Sequence, residues 1–476
     1  MKVLPHNCIF PSCAAITPFA FQPAVFFASL LCLFAGTDTS KAQIVTFTIN
    51  GLSGETASIN GTAATGISGS PVLSRTGLNM LSGSNAFSST QNYVPQSSPN
   101  FSDKYVGFTV VPNADHVLFA KSLTFGVSGS NTAGNQYAVA ISTDHFATST
   151  SQTGSVTDPA VNQTFDFADL ITNDTLAARI QNFGTVAVDN GTPGSAGSFR
   201  LTTGVSNTGV QLTGSTVAKA SGAIVLTANT EIRNSGALAL GGEISGGFAL
   251  TKTGSGTLTL EGTNSYTGAT TISTGSLSLG STGSIATSSE IAIASGATLD
   301  VSGLSGWTVA TGQKLSGAGT VAGNVTVDGT HAVSGAQTVT GNLAYGGTSV
   351  FEWSLNEASV TTGFDQVTVS GALGTAAGAF RVLTDLDFST SFWQQDRDWE
   401  TIFNVAGSVS GWAANTSVAV YTTANVLRNN ISNYGSFTIS GSKLSWKHNP
   451  DYNPIPEPTT ALACLLLAAG ILRRKR

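Results

Sequence analysis

Cysteine is nearly absent from this chain of 476 residues: the four present are Cys8, Cys13, Cys32 and Cys464, all in the terminal segments. The long body between them carries none, which excludes disulfide staples, thiolate zinc sites and cysteine nucleophiles from it. A body of this length buries enough apolar surface to fold without staples. Charge is also scarce. Only 10% of residues are Asp, Glu, Lys or Arg, the formal net charge is −6, and the basic residues Lys2, Lys41, Arg473, Arg474, Lys475 and Arg476 lie at the ends. The longest basic run is the last four residues. The clustered Lys and Arg that a phosphate backbone requires are therefore missing, and nucleic acid is not an expected partner.

Catalytic patterns are missing as well. The five histidines, His6, His116, His145, His331 and His448, are dispersed and none stands at metal-ligand spacing from another. Asp115-His116 and Asp144-His145 are adjacent, but neighbours on a strand point to opposite faces, so neither pair is a ready dyad. There is no G-x-S-x-G elbow, P-loop or H-E-x-x-H. Asp385 and Asp387, at i and i+2, would share one face of a strand and suit a glycosidase or a calcium site; a solvated strand end is the simpler reading. No cofactor and no catalytic or metal site is expected, and the chain reads as a non-enzyme.

What is abundant is glycine, 54 residues, with Ser, Thr and Asn between short apolar pairs such as Leu258 and Leu260. β-branched residues suit a pleated surface and Gly or Asn suits tight turns, so the expected fold class is all-β. From Gln43 to about residue 220, short alternating runs such as Val45–Ile49, Val106–Val110 and Tyr137–Ile141 predict an antiparallel β-sandwich. From 221 to 350, Ile, Val and Leu alternate with small polar residues, which predicts a right-handed parallel β-helix whose coils bury apolar faces only against their neighbours. Leu258, Leu260, Ile272, Leu277 and Leu279 are its expected inward residues. Charges there are few: Glu231, Arg233, Glu243, Lys252, Glu261, Glu290, Asp300, Lys314 and Asp328 up to residue 347, too sparse for the charged groove of a polysaccharide lyase or hydrolase. From 351 to 450, Trp353, Trp393, Trp399, Trp412 and Trp446 predict a β-rich unit that closes the open end, with a sugar-stacking platform as the alternative.

The two ends read as addresses. Residues 1–42 carry Lys2, an apolar stretch and Ser40-Lys41-Ala42, the small-residue pattern of a secretory signal cleaved between Ala42 and Gln43 by signal peptidase. Residues 453–476 contain Pro456-Glu457-Pro458, an apolar run of about 14 residues from Thr459 to Leu472, and Arg473-Arg474-Lys475-Arg476. The run is short of the roughly 20 residues that cross a bilayer comfortably, and the basic tail orients it with the body outside.

This tripartite end resembles the PEP-CTERM sorting signal. The resemblance implies a short transmembrane helix, a Gram-negative host that makes extracellular polysaccharide, and an exosortase-like membrane protease as partner. It implies export to the outer membrane, cell surface or extracellular matrix, after transient anchoring in the inner membrane. The front of the body resembles, over a few strands, the jelly-roll-like modules of such proteins, with Ser142-Thr143-Asp144-His145-Phe146 filling a Ser-x-Asp-x-Phe pattern. Leu250-Thr251-Lys252-Thr253-Gly254-Ser255-Gly256-Thr257-Leu258-Thr259-Leu260, then Asn264-Ser265-Tyr266-Thr267-Gly268, then Gly275-Ser276-Leu277-Ser278-Leu279, closely resembles the autotransporter-associated β-strand repeat. Together these imply a secreted or cell-surface structural protein of the extracellular polysaccharide matrix. A carbohydrate-binding or adhesive module is the second reading.

Overall fold

The computed structural model describes residues 43–451 apart from short stretches at 50–51, 53–55, 77, 81–85, 91–97, 103, 158–159, 194–197, 203–208, 220 and 377. The expected signal with Ala42, and the expected sorting segment with Pro456, Glu457, Pro458, Arg473, Arg474, Lys475, Arg476 and its short helix, lie outside the described residues; Gln43 opens the first described strand. Among the described residues the protein is all-β, with two short 3-10 turns at Ser391–Gln394 and Ile431–Asn433, no α-helix, and no helix long and apolar enough to cross a membrane.

The front of the body consists of antiparallel sheets. One has six strands in the order Thr150–Ser155, Gly134–Ser142, Leu176–Ala187, Tyr105–Val110, Val72–Thr76 and Ser58–Asn60. A second set, built on the long strand His116–Gly129, pairs it with Val161–Thr172, Val210–Ala218 and Ser198–Thr202. Their inward side chains share one core, in which the rings of Phe47 and Phe108 lie 4.8 Å apart and those of Phe125 and Tyr137 5.5 Å apart.

The strand Val161–Thr172 has two partners along one edge region. It runs antiparallel to His116–Gly129, while its last residues, Asp169 to Thr172, pair in parallel with Thr230–Arg233. It therefore covers the strand edge that the first parallel coil would otherwise expose. Val117, Phe119 and Ile171 join the core behind that coil.

Parallel ladders follow. One runs from Thr230–Arg233 through Leu250–Thr253 and onward to Ala419–Tyr421. A second runs from Leu238–Leu240 to Phe403–Val405, and a third from Trp307–Val309 to Trp412–Ser417. This is the strand arrangement of a β-helix. In the second ladder the row Leu238, Leu258, Leu277, Leu299, Val321, Val339, Val369 and Val405 is in register from coil to coil. Alternation along each strand sends these side chains inward and their Thr or Ser neighbours outward. Each fully buried Leu adds about 2 kcal/mol of transfer free energy against the cost of ordering the coil. The five residues expected inside, Leu258, Leu260, Ile272, Leu277 and Leu279, are all buried.

The ladders do not stop near residue 350. Phe351 pairs with Phe380, and Val382 with Val420, so that boundary marks a change from aliphatic to aromatic filling within continuing ladders. Closure is antiparallel: Trp412–Ser417 pairs with Gly435–Gly441, which forms a hairpin with Lys443–His448, which pairs with Arg397–Trp399.

Candidate functional site

The stretch with the clearest sequence pattern, 250–279, occupies two successive coils. Inside them the regular apolar rows are interrupted by polar groups, each of which finds hydrogen-bond partners within its own coil or the next. Lys252 takes the inward position between Ile232 and Ile272 and is fully buried. Its Nζ donates to the carbonyls of Thr253 at 2.7 Å, Gly254 at 2.9 Å and Thr274 at 3.3 Å. Burial pushes the amine down to about 8, with Asp174 pulling the other way, so at neutral pH it stays an ammonium with three acceptors. Gly254 turns the chain there with φ +78°, and a Cβ would meet the Asn234 carbonyl at 2.3 Å, which is why this corner takes glycine.

Asn264 substitutes for backbone where the strand pairing lapses. It accepts the Ile244 N–H of the coil before at 2.9 Å, and its Nδ2 donates to Gly262 at 3.1 Å and to Ser284 of the coil after at 3.0 Å. Tyr266 is buried inside the coil, and its hydroxyl pairs with Thr270 at 2.6 Å; Thr270 in turn pairs with Ser288 at 2.9 Å. Asn264 and Tyr266 are thus interior struts, not a surface pocket.

Further along, His331 sits in the row Leu315, His331, Phe351, Phe380. It is fully buried, with Nδ1 2.6 Å from the Tyr345 hydroxyl and Nε2 2.6 Å from Gln337 Oε1. Because an amide oxygen only accepts, Nε2 carries the proton and Nδ1 accepts from Tyr345. Burial pushes this histidine down to about 4. Asp365 is buried too, accepting the N–H of Gly335 at 2.7 Å and of Ser354 at 2.8 Å; burial raises its pKa.

The sequence's other candidates are dispersed. Asp385 accepts the Thr423 N–H and hydroxyl, and Asp387 accepts the Ser389 N–H and hydroxyl, and these bonds hold both carboxyls below the usual range. Asp387 closes its own turn, whereas Asp385 ties its segment to that of Thr423, 38 residues further along the chain. Among the described residues no group of three His, Cys, Asp or Glu is placed to hold a metal. His116 meets Asp115 at 2.7 Å with the aspartate exposed, and His448 lies 3.4 Å from Asp396 beside Lys447. The charges of the coils are largely engaged: Glu290 with Lys314 at 3.5 Å, Arg233 with Asp144 at 3.1 Å, Glu231 with Thr253 and Glu243 with Ser265. All six tryptophans, Trp307, Trp353, Trp393, Trp399, Trp412 and Trp446, are buried, which corrects the alternative of a tryptophan stacking platform. Their rings fill the later coils and the antiparallel closure, and Trp446, for example, donates Nε1 to the Trp393 carbonyl at 2.9 Å.

The segment 250–279, with its buried lysine, its asparagine strut and its in-register leucines, is where comparison with known families succeeds. Residues 250–279 match the passenger-associated-transport-repeat. The repeat points to an exported, passenger-type extracellular chain, and its pattern now has a physical reading. Thr-Lys-x-Gly supplies the buried ammonium and the turn that offers it carbonyls, Asn-x-Tyr supplies the strut and the interior ring, and Gly-x-Leu-x-Leu supplies the next rung. No curated protein and no solved structure matches the chain.

Proposed function

We propose that this protein is an exported, non-catalytic structural component of the extracellular polysaccharide matrix. In this reading a jelly-roll-like sandwich precedes a right-handed parallel β-helix and an aromatic closing unit. Signal peptidase removes residues 1–42, and an exosortase-like protease acts at Pro456-Glu457-Pro458 after the terminal helix and Arg473–Arg476 have held the chain transiently in the inner membrane. The observation that carries the reading is the passenger-associated repeat at 250–279, set in parallel coils in which Lys252 and Asn264 bond to neighbouring coils. Such coils make a stable surface from sequence that is cheap in charge and free of cysteine, as suits a protein working outside the cell.

A glycosidase or lyase reading has less support, since Asp387 is bound into its own turn, Asp385 is bound to Thr423 of another segment, and the coil charges are largely taken up. The adhesive reading loses its tryptophans and would rest on other residues. The test is localisation: an epitope placed in the exposed turn around Gly347, followed in the native host, is expected at the cell surface and in the matrix. Retention in the cytoplasm overturns the proposal.

A further inference from the structure

The outward face of the six-stranded sheet carries a groove. Ser74, Gly107 and Arg179 lie side by side on its three strands Val72–Thr76, Tyr105–Val110 and Leu176–Ala187. Gly107 packs so closely that a Cβ there would meet the Ala178 carbonyl at 2.5 Å, so the floor of the groove stays low. The groove, about 160 Å³, is edged by the hydroxyls of Ser74, Thr76 and Thr109. Beyond Arg179 it meets a second cavity of about 430 Å³, lined by Asn100, Phe101, His145 and Phe146.

Arg179 lines both. Its guanidinium lies 4.2 Å from the centre of the Tyr105 ring and 3.9 Å from that of Phe146, which fixes its plane. One N–H donor, on Nη1, goes to the Phe101 carbonyl at 2.6 Å, and among the described residues no carboxylate pairs with it. Among the described residues the remaining donors of this half-buried fork are left to the groove. The wall that holds Phe146 against it is strained: His145 and Phe146 are consecutive non-glycine residues at φ 57° and 68°. Ser142 Oγ accepts the Phe146 N–H at 2.8 Å. Asp144 accepts the Thr148 N–H and hydroxyl and pairs with Arg233 at 3.1 Å. Burial opposes the charge on Asp144, yet those bonds and Arg233 hold its carboxyl down to about 2, so the turn keeps its clamp across the working pH range.

We propose that this groove binds an acidic saccharide chain, with the sugar carboxylate on the Arg179 fork and sugar hydroxyls on Ser74, Thr76 and Thr109. One guanidinium matches one carboxylate in charge and in planar, two-bond geometry. The low floor and hydroxyl edges suit a polar chain lying across the strands. This deepens the matrix reading by naming the chemistry that would hold the protein to the polysaccharide.

The test is calorimetric titration of the full exported chain with oligogalacturonate, with the neutral galacto-oligosaccharide and sodium acetate as controls. Oligogalacturonate is expected to bind, more weakly as salt rises, and at least tenfold more tightly than either control. Arg179→Gln is expected to weaken binding tenfold or more, and Arg179→Lys less than that. Ser74→Glu, at the half-buried rim of the groove, is expected to weaken it by repulsion and carries the test if Arg179→Gln does not fold. Unchanged affinity in Ser74→Glu and in folded Arg179→Gln, equal binding of the neutral chain, or acetate bound as tightly as the oligosaccharide would overturn the proposal. If matrix localisation holds while oligogalacturonate fails to bind, the groove assignment falls and the matrix reading stands; loss of localisation refutes the latter independently.

Discussion

His331 offers a measurable consequence of the coil interior. Its ring is neutral in the folded protein, with both nitrogens satisfied, and protonation would place a second donor against the Tyr345 hydroxyl and a charge among Phe351, Phe380 and Leu315. The folded pKa of about 4 lies below the ordinary value of 6.5. Between these values the unfolded chain takes a proton that the folded chain refuses, so stability falls as pH drops from 6.5 towards 4 and is unaffected by this group above that window. Two and a half pKa units correspond to about 3 kcal/mol. Replacing His331 by Phe continues the aromatic row and removes the titration, at a cost of about 1–3 kcal/mol at pH 7 for each partner, Tyr345 or Gln337, left unpaired. Urea unfolding followed by the fluorescence of the buried tryptophans, at pH 7 and pH 4, gives the comparison. The wild type is expected to lose about 3 kcal/mol more than His331→Phe between the two. Equal losses would refute the assignment of a neutral, satisfied histidine.

Three further outcomes follow from the same interior. Lys252 titrates in the folded state at about 8, below its unfolded value, so the wild type should gain up to about 3 kcal/mol relative to Lys252→Met as pH rises from 8 to 10.5; parallel curves in urea would contradict this. Leu260→Asp puts an unpaired charge into a filled row and should abolish cooperative unfolding, whereas Thr259→Asp, on the outward face, should shift the midpoint little; matched midpoints would remove the inside-outside assignment. Asn264→Ala strips partners from Ile244, Gly262 and Ser284 and should cost about 2–4 kcal/mol, read as early hydrogen exchange at Ile244; unchanged protection there would show the strut to be dispensable.

The rows of the β-helix were legible because a period of two states which side chains face inward, and Leu258 with Leu277 and Leu260 with Leu279 pair as that alternation requires. Lys252 was not legible as an interior residue, because its burial depends on carbonyls brought by the turn at Gly254 and by Thr274 of the next coil. The same holds for His331, whose partner Gln337 lies on another ladder. The continuation past residue 350 was hidden by spacing: rungs separated by about 20 residues up to Val339 become Val369 and Val405, and insertions that carry Trp393 and Trp399 obscure the rhythm. Arg179 and Tyr105 lie far apart in sequence and meet only across paired strands, so the Ser142–Phe146 pattern alone gave no site.

The central claim is export with retention outside the cell. Fractionating the native host into cytoplasm, inner membrane, outer membrane, matrix and medium, with intact-mass analysis of the recovered protein, tests it most directly in wild type and Glu457→Ala. The wild type should be found at the surface and in the matrix, beginning at Gln43 and lacking the segment after Pro458, while Glu457→Ala should accumulate uncleaved at the inner membrane because its apolar run and basic tail still insert. Wild-type protein that begins at Met1 and stays in the cytoplasm, or a Glu457→Ala protein of wild-type size and distribution, would contradict the account.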